Sequence, residues 1–279
     1  MNSKKIKRVM LLLLVLALAV SMAACGSGGK DDSGDTDSTD TGTAASDTLR
    51  VGLPGGIATL DIYQNGGIID YYITAIAQES LVGVSNDGKI VPALAESWTT
   101  SEDGKTWVFT LRDDAKFYDG SDVTAADFVY SAERAKNEET SPALSQYYAP
   151  YIETIEATGE KEVTITLDGS HPGFLWNVSN AGAIFVSKEE YAENAESYGS
   201  PEDLIMGSGP YKPVEFVPGD HLTYEYTDTW WGEEPEIKRV EFYILEDANT
   251  RLLAFQEGKI DFTYNISPDL ADQYSAVSG

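Results

Sequence analysis

The stretch Ser97-Trp-Thr-Thr-Ser-Glu-Asp-Gly-Lys-Thr-Trp-Val-Phe-Thr-Leu111 predicts a β-hairpin and so decides the fold class. Its turn, Glu102-Asp-Gly-Lys105, contains Asp-Gly, which is a strong hairpin signal because Gly tolerates a positive φ. Trp107, Phe109 and Leu111 alternate along the second strand and should share one face of the sheet. We therefore expect a sheet with an aromatic core at this point.

Helical patterns alternate with strand patterns on both sides of this hairpin. Thr124–Lys136 should form a helix that Thr124 caps, with Asp127 at the N3 position. Further predicted strands are 49–53, 162–167, 213–217, 222–226, 238–245 and 260–264, further predicted helices are 70–82 and 248–257, and capping-box patterns stand at 187–190 and 200–203. No internal repeat is evident, and the pattern indicates an α/β fold with mixed sheets.

The composition excludes several function classes. The chain has 279 residues and a formal net charge of −27, which argues against binding to nucleic acid because phosphates require a basic face. One Cys and two His exclude disulfide frameworks, zinc clusters and Cys–His dyads. Of the large enzyme classes, only carboxylate acid/base chemistry stays open, and no phosphate loop, dinucleotide fingerprint, nucleophile elbow or zinc-protease motif is present.

The first 24 residues have the pattern of a secretory signal. Lys4, Lys5, Lys7 and Arg8 precede an apolar run, Val9–Val20, that is short for a membrane span. The only Cys of the chain follows in Met22-Ala-Ala-Cys25, which resembles a bacterial lipobox with Met in place of the usual Leu. We therefore expect cleavage before Cys25 and lipidation of its thiol; the alternative is an ordinary signal peptide with an incidental Cys.

Residues 25–47 should form a solvated tether behind this anchor. They contain Gly, Ser, Thr, Ala and Asp without an aromatic or large aliphatic residue, so they cannot bury a core. A coil of this kind has an r.m.s. span of about 25 Å. Removal of residues 1–24 takes away four basic side chains and leaves an exported charge of −31. This arrangement favours the outer face of the cytoplasmic membrane, weakly indicating a Gram-positive cell.

Three groups of motifs after residue 48 resemble a known family. The first comprises Val91–Trp98, Asp103–Arg112, Lys116–Gly120 and Val123–Tyr130. The second is Gly207-Ser-Gly-Pro-Tyr-Lys212 with Thr229-Trp-Trp-Gly232, and the third is Arg251–Gly258 with Ile260-Asp-Phe262. Together they are similar to the family 5 extracellular solute-binding proteins, which are peptide, nickel and opine receptors of ABC importers. Asp261–Asn265 and Ser267–Leu270 look most like the oligopeptide branch.

The resemblance implies a type II periplasmic-binding-protein fold with two lobes. Residues 48–80 and 174–266 would form the first lobe, and 81–173 the extra small α/β domain of the family. Residues 267–279 would only begin the second lobe, so we expect most of that lobe to be missing and the chain to be a fragment. A natural short paralogue is the alternative.

The resemblance also implies a ligand-facing loop at Asn65–Asp70. Gly66, Gly67, Ile68 and Ile69 would offer backbone groups to an extended peptide, and a plain surface turn is the competing interpretation. A second family site region is Ser141–Tyr148, where peptide binders often place an aromatic residue after Ser-Pro. Ala143 stands there in this chain, so Tyr147 or Tyr148 would have to substitute.

We expect a monomeric binding protein without a cofactor, a catalytic residue or a bound metal. Its partners would be an oligopeptide or dipeptide, the permease and ATPase of an ABC importer, and the membrane through Cys25. A nickel chelate, opine or sugar is the alternative ligand, and a surface-anchored hydrolase with a carboxylate pair is the competing class. His171 before Pro172 is expected to be a turn residue.

Overall fold

A computed structural model describes residues 47–64, 67–142, 145–148, 151–179, 186–188, 191 and 197–277. The predicted signal, Cys25 and the tether up to residue 46 lie outside these residues. None of the helices in the described ranges combines the length and the apolar character that a membrane span requires.

Runs of strands are separated by short helices along the chain. The strands are β1 (Thr48–Leu53), β2 (Val82–Val84), β3 (Ile90–Pro92), β4 (Ala95–Thr100), β5 (Thr106–Leu111), β6 (Ile152–Gly159), β7 (Glu162–Leu167), β8 (Tyr211–Val217), β9 (His221–Tyr226), β10 (Arg239–Ile244) and β11 (Phe262–Thr263). The helices are α1 (Ile68–Thr74), α2 (Ala125–Lys136), α3 (Ser145–Tyr148), α4 (Phe174–Ser179), α5 (Ala248–Gln256) and α6 (Pro268–Ser275).

A five-stranded mixed sheet has the order β11-β1-β10-β9-β8. Strand β1 runs parallel to both of its neighbours, β10 and β11, with Thr48 opposite Arg239 and Val51 opposite Phe262. The predicted hairpin around Gly219 forms β8 and β9, and the φ of Gly219 is 77°. The carboxyl ends of β1, β10 and β11 therefore meet at one edge.

A four-stranded antiparallel sheet has the order β4-β5-β7-β6. The hairpin predicted from the opening stretch is confirmed: β4 pairs with β5, and Gly104 in the turn has a φ of 70°. Phe109 is fully buried and stacks on Trp107 with ring centroids 6.5 Å apart. The predicted cap of α2 is also confirmed, since Thr124 and Asp127 exchange hydrogen bonds.

Strands β2 and β3 form a separate two-stranded sheet. Each of the two larger sheets packs against its own hydrophobic cluster. One surrounds the four-stranded sheet and α2, with Phe109, Phe117, Phe128 and Phe174 at most 1% exposed. The other lies on the five-stranded sheet against α1 and includes Val51, Leu53, Ile73, Leu222 and Tyr224. The residue limits of the lobes stay a prediction.

Two predicted elements are wrong. The helix predicted over residues 70–82 is the shorter α1, which starts at Ile68 and ends at Thr74; residues 82–84 are a strand. Ile73, Ala77 and Leu81 are all buried as the helical spacing required, but only Ile73 lies in the helix; Ala77 lies in the turn after it and Leu81 in the segment that leads into β2. Residues 200–203 form a bridged turn and not a helix start, because Ser200 pairs with Asp203.

The backbone at Ala77 holds the connection into β8. Gly209 N donates a hydrogen bond of 3.0 Å to the carbonyl oxygen of Ala77. The Tyr118 hydroxyl contacts the same oxygen and lies 2.8 Å from the carbonyl oxygen of Tyr211. A Cβ on Gly207 would lie 2.1 Å from that Ala77 oxygen, so only glycine fits there. The Gly-x-Gly-Pro-Tyr motif is thus a close-packing element.

A buried ion pair joins the segment after β1 to α2. The Arg134 Nη2 atom lies 2.7 Å from Asp61 Oδ2, and the two side chains are 12% and 3% exposed. The guanidinium also lies over the rings of Tyr63 and Tyr198, at 5.2 and 5.9 Å. Burial opposes the charged form, but the Asp61 carboxylate outweighs it and raises the pKa of Arg134.

We predict that Gly207→Ala destabilises the fold by about 1–3 kcal/mol, because the added methyl group must displace the Ala77 backbone. The measurement is urea unfolding followed by circular dichroism. Gly173→Ala is the control, since a Cβ there has no neighbour within 4 Å. Equal midpoints for the two variants would contradict the close-packing role.

We predict that Arg134→Met lowers the free energy of unfolding by about 3–5 kcal/mol, because it leaves the Asp61 carboxylate buried without its cation. The double variant with Asp61→Asn should recover part of this loss in a double-mutant cycle. The exposed pair Arg50–Asp261 is the control and should show a coupling of about 1 kcal/mol or less. Similar couplings for both pairs would refute the structural role of Asp61–Arg134.

Candidate functional site

The carboxyl ends of β1, β10 and β11 form the candidate site. Ligands of open α/β sheets bind outside the carboxyl ends of the strands. Pro54-Gly-Gly56 follows β1, Glu246 and Asp247 follow β10, and Tyr264 and Asn265 follow β11. Three chain segments thus reach the same edge, although they are far apart in sequence.

Small residues after β1 let the loop before α1 come close to the sheet. A Cβ on Gly55 would lie 3.2 Å from Ile69 Cδ1, which is tight contact. A Cβ on Gly56 would lie 3.8 Å from Ile244 and 3.9 Å from Glu246 Oε1. Ile69 therefore lies against the end of β1, and Gly56 lies beside the end of β10.

Gly67 is exposed and precedes α1. Its N–H donates a hydrogen bond of 2.9 Å to Asp70 Oδ2, which fixes the start of the helix. Its φ of −74° does not itself require glycine, but a Cβ would lie 2.7 Å from the Asp70 carboxylate. The Gly67 carbonyl oxygen accepts from Tyr71 N at 3.1 Å, so a second lone pair of this oxygen is what the exposed glycine can offer to a ligand.

Two tyrosines cover the neighbouring part of the edge. The rings of Tyr72 and Tyr264 meet edge to face with centroids 6.0 Å apart, and Tyr72 is 52% exposed. Burial raises the pKa of Tyr264, and Tyr72 and Asp70 act in the same direction. The Tyr264 phenol therefore stays neutral at physiological pH, and both tyrosines offer apolar ring faces.

The turns after β10 and β11 have special backbone support. Asn265 is exposed with a φ of 57°, the left-handed conformation that Asn tolerates better than most residues. Arg251 is buried, and its Nη1 donates to the carbonyl oxygens of Leu245 and Glu246. The guanidinium thereby holds the end of β10 in place, which gives the arginine of the third sequence motif a positioning role.

The structure brings together only part of the predicted site. Gly67 and Ile69 lie at the edge; Gly66 and the side chain of Ile68 lie outside the described residues, although the backbone of Ile68 begins α1. Tyr147 and Tyr148 end the short helix α3, and their side chains lie outside the described residues as well. Tyr72, Tyr264 and Asn265 were missed as site residues, although the Asp261–Asn265 motif was a signal for two of them.

Acidic groups dominate the charge at this edge. Asp70 accepts from Gly67, Asp247 accepts from the backbone N–H of Thr250 and caps α5, and Glu246 is exposed. The hydrogen bonds from Thr250 lower the pKa of Asp247. Within the described ranges, no group of three or more His, Cys, Asp and Glu residues has metal-binding geometry. The edge is better suited to an organic cation or amide groups than to a bare metal.

His171 lies away from this edge. Its Nε2 is 2.7 Å from Asp168 Oδ1, and its ring stacks on Tyr151 with centroids 4.9 Å apart. These are contacts of a turn between β7 and α4, as the sequence predicted.

Comparisons with known proteins identify the fold. The family model for bacterial extracellular solute-binding proteins, family 5 Middle, matches residues 89–278. The dipeptide-binding protein DppE of Bacillus subtilis is 30% identical over 70% of the chain. The nickel-binding periplasmic protein of Escherichia coli is 31% identical over 69% of the chain.

A solved structure gives the same architecture. The binding protein AgaA of A. tumefaciens R10, in complex with agropinic acid, is 30% identical and superposes with a TM-score of 0.74 over 81% of this chain. The chain covers 45% of AgaA, 38% of DppE and 36% of the nickel-binding protein, so it spans less than half the length of each.

The family model matches more than half of the chain. This match agrees with the five-stranded mixed sheet, the four-stranded sheet and the order of the sequence motifs along the chain. The protein belongs to the bacterial extracellular solute-binding proteins of family 5.

Proposed function

We propose that this protein captures a short peptide outside the cytoplasmic membrane and delivers it to an ABC importer. The observation that carries the proposal is the meeting of the exposed Gly67 backbone with the Tyr72–Tyr264 ring pair at the carboxyl edge of the sheet. The Gly67 N–H is held by Asp70, but the second lone pair of its carbonyl oxygen can accept from an N–H of an extended peptide. The similarity to a dipeptide-binding protein supports the same ligand class.

The proposed mechanism is hinge closure of two lobes on the ligand. We assign residues 48–80 and 174–266 to the first lobe, 81–173 to the small domain and 267–279 to the start of the second lobe. The two hydrophobic clusters support a division between the first lobe and the small domain, although Ile62, Tyr63, Phe174, Val178 and Val186 from the assigned first lobe pack into the cluster of the small domain.

Each group at the edge has a place in this mechanism. The Tyr72 and Tyr264 rings would contact an apolar side chain of the peptide, while its backbone pairs with the Gly67 segment. The carboxylate of Glu246 is exposed and would attract the ammonium terminus. These contacts bind and orient the peptide without any bond being broken.

An opine is the second candidate ligand. AgaA, crystallised with agropinic acid, is as similar to this chain as the dipeptide-binding protein is. Ala143 also stands where peptide receptors often have an aromatic residue. Both observations favour a ligand other than a peptide, and a ligand panel decides between the two.

We predict that the full chain binds di- to pentapeptides in calorimetric titrations and hydrolyses none of them. Tyr72→Ala should weaken binding about tenfold, equivalent to ~1.4 kcal/mol, because it removes an aromatic contact surface. Trp176→Ala is the matched control, since Trp176 is a similarly exposed aromatic at 46%.

The same titrations are run with a panel of other ligands, namely an opine, a nickel chelate and a sugar. Binding of the opine with no response to peptides would replace the ligand assignment, and turnover of a peptide would contradict a binding function altogether.

We further propose that a lipid on Cys25 anchors the protein to the outer face of the membrane. Two acyl chains on one thioether suffice for stable anchoring. Cys25→Ala should move the protein from the membrane fraction to the culture supernatant or periplasm, measured by immunoblot after fractionation. A Ser27→Ala control should leave it in the membrane. Retention of the Cys25→Ala protein in the membrane would exclude this anchor.

A further inference from the structure

A pocket lies between the end of α1 and the β2–β3 hairpin. Its volume is about 350 Å³, it is open to solvent on one side, and Ser179 at the end of α4 lines another. Tyr71 lines this pocket, whereas Tyr72 lines the groove above the five-stranded sheet. The two tyrosines therefore face different cavities, and the pocket is distinct from the candidate site at the sheet edge.

Gln78 forms a fixed part of the pocket wall. Its side chain is 3% exposed, and Nε2 donates to Ser187 Oγ at 2.9 Å and to the carbonyl oxygen of Val186 at 3.2 Å. A carbonyl can only accept, so this bond fixes the orientation of the amide. The Oε1 atom is enclosed by protein and has no hydrogen-bond partner among the described residues. Gln78 therefore orders the wall, and the accessible acceptors come from its neighbours.

Two serine hydroxyl groups in the pocket wall already donate their single hydrogen to backbone carbonyl groups. Ser80 Oγ donates to the carbonyl oxygen of Val82 at 2.9 Å, and Ser179 Oγ donates to the carbonyl oxygen of Trp176 at 3.2 Å. A hydroxyl has one hydrogen and two acceptor lone pairs. Both oxygens can therefore only accept from a ligand.

Glu79 adds a carboxyl group to the pocket wall. The cation that acts on it, Arg112, is already paired with other groups. The Arg112 guanidinium pairs with Asp114 at 2.9 Å and stacks on Trp231 at 3.7 Å. Burial raises the pKa of Glu79 to about 7, and the charge of Arg112 acts in the opposite direction. The charge of Glu79 also acts electrostatically on the buried phenol of Tyr118.

We propose that this pocket binds a primary alkylammonium group. Glu79, Ser80 and Ser179 supply acceptors, and an ammonium supplies three donors and no acceptor. The ring of Tyr71 and the side chain of Val84 provide an apolar wall for the carbon chain. The volume is far larger than a bare metal ion needs, and no metal-binding group was found among the described residues. The strongly acidic chain enriches cations near its surface.

The test is calorimetric titration of the full chain with n-pentylammonium chloride in 0.15 M salt, a concentration that screens diffuse attraction over about 8 Å. Since the amine stays protonated between pH 5.5 and pH 8.5, the pH dependence of its affinity reports the ionisation of Glu79. The ionised fraction of an acid with a pKa of about 7 falls roughly thirtyfold between pH 8.5 and pH 5.5, so the affinity should fall by about the same factor.

Glu79→Gln should abolish this pH dependence and weaken binding at least tenfold at pH 8.5, the factor that ~1.4 kcal/mol represents. Glu96→Gln removes the same charge from an exposed position on β4 and should bind like the unaltered protein. Ser179→Ala removes one acceptor and should weaken binding about threefold, which keeps the test available if Glu79→Gln fails to fold.

Three results would overturn the proposal. They are equal affinity of the unaltered and Glu79→Gln proteins, binding of the uncharged 1-pentanol as tightly as the amine, and binding of calcium chloride with no response to the amine. Peptide binding at the sheet edge is measured separately, so either site can fail without the other.

Discussion

The architecture depends on one backbone contact, at Ala77. The carbonyl oxygen of this residue accepts from Gly209 and contacts the Tyr118 hydroxyl, so the segment after α1, the Lys-Phe-Tyr-Asp-Gly loop and the entry to β8 meet there. Any side chain at Gly207 would separate these segments. Because β8 and α1 both contribute to the first sheet and its core, displacement at Ala77 would disturb the layer that supports the ligand edge.

The sequence motifs therefore divide into scaffold and site. Tyr118, Gly207 and Gly209 fix the Ala77 contact, and Arg251 holds the end of β10. Arg112 stacks on Trp231 and joins the first hairpin to the Trp-Trp motif. The groups free to meet a ligand are fewer and less conspicuous in the sequence: a glycine peptide unit, two tyrosine rings and an asparagine. A family defined by its scaffold motifs can for this reason serve receptors with different ligands.

Periodicity predicted the strands and capped helices well where a local signal was strong. Asp103-Gly104 located the hairpin, Thr124 located α2, and Pro218-Gly219-Asp220 located the second hairpin. The pattern over 70–82 misled because the turn after α1 and the segment that leads into β2 bury Ala77 and Leu81 as effectively as a longer helix would. Tyr72 and Tyr264 could not be paired from sequence, because their contact depends on the parallel pairing of β1 with β11. The acceptors around Gln78 could not be predicted from the sequence either, since the hydrogen bonds of Ser80 and Ser179 depend on the folded backbone.

The parallel placement of β1 between β10 and β11 also constrains how the protein is made. Thr48 finds its partner Arg239 only when nearly the whole described chain is available. Non-local pairing of this kind makes folding slow. A nascent chain therefore cannot complete its main sheet while most of it is still being synthesised. The topology of the main sheet thus delays its completion until strands β10 and β11 have been made.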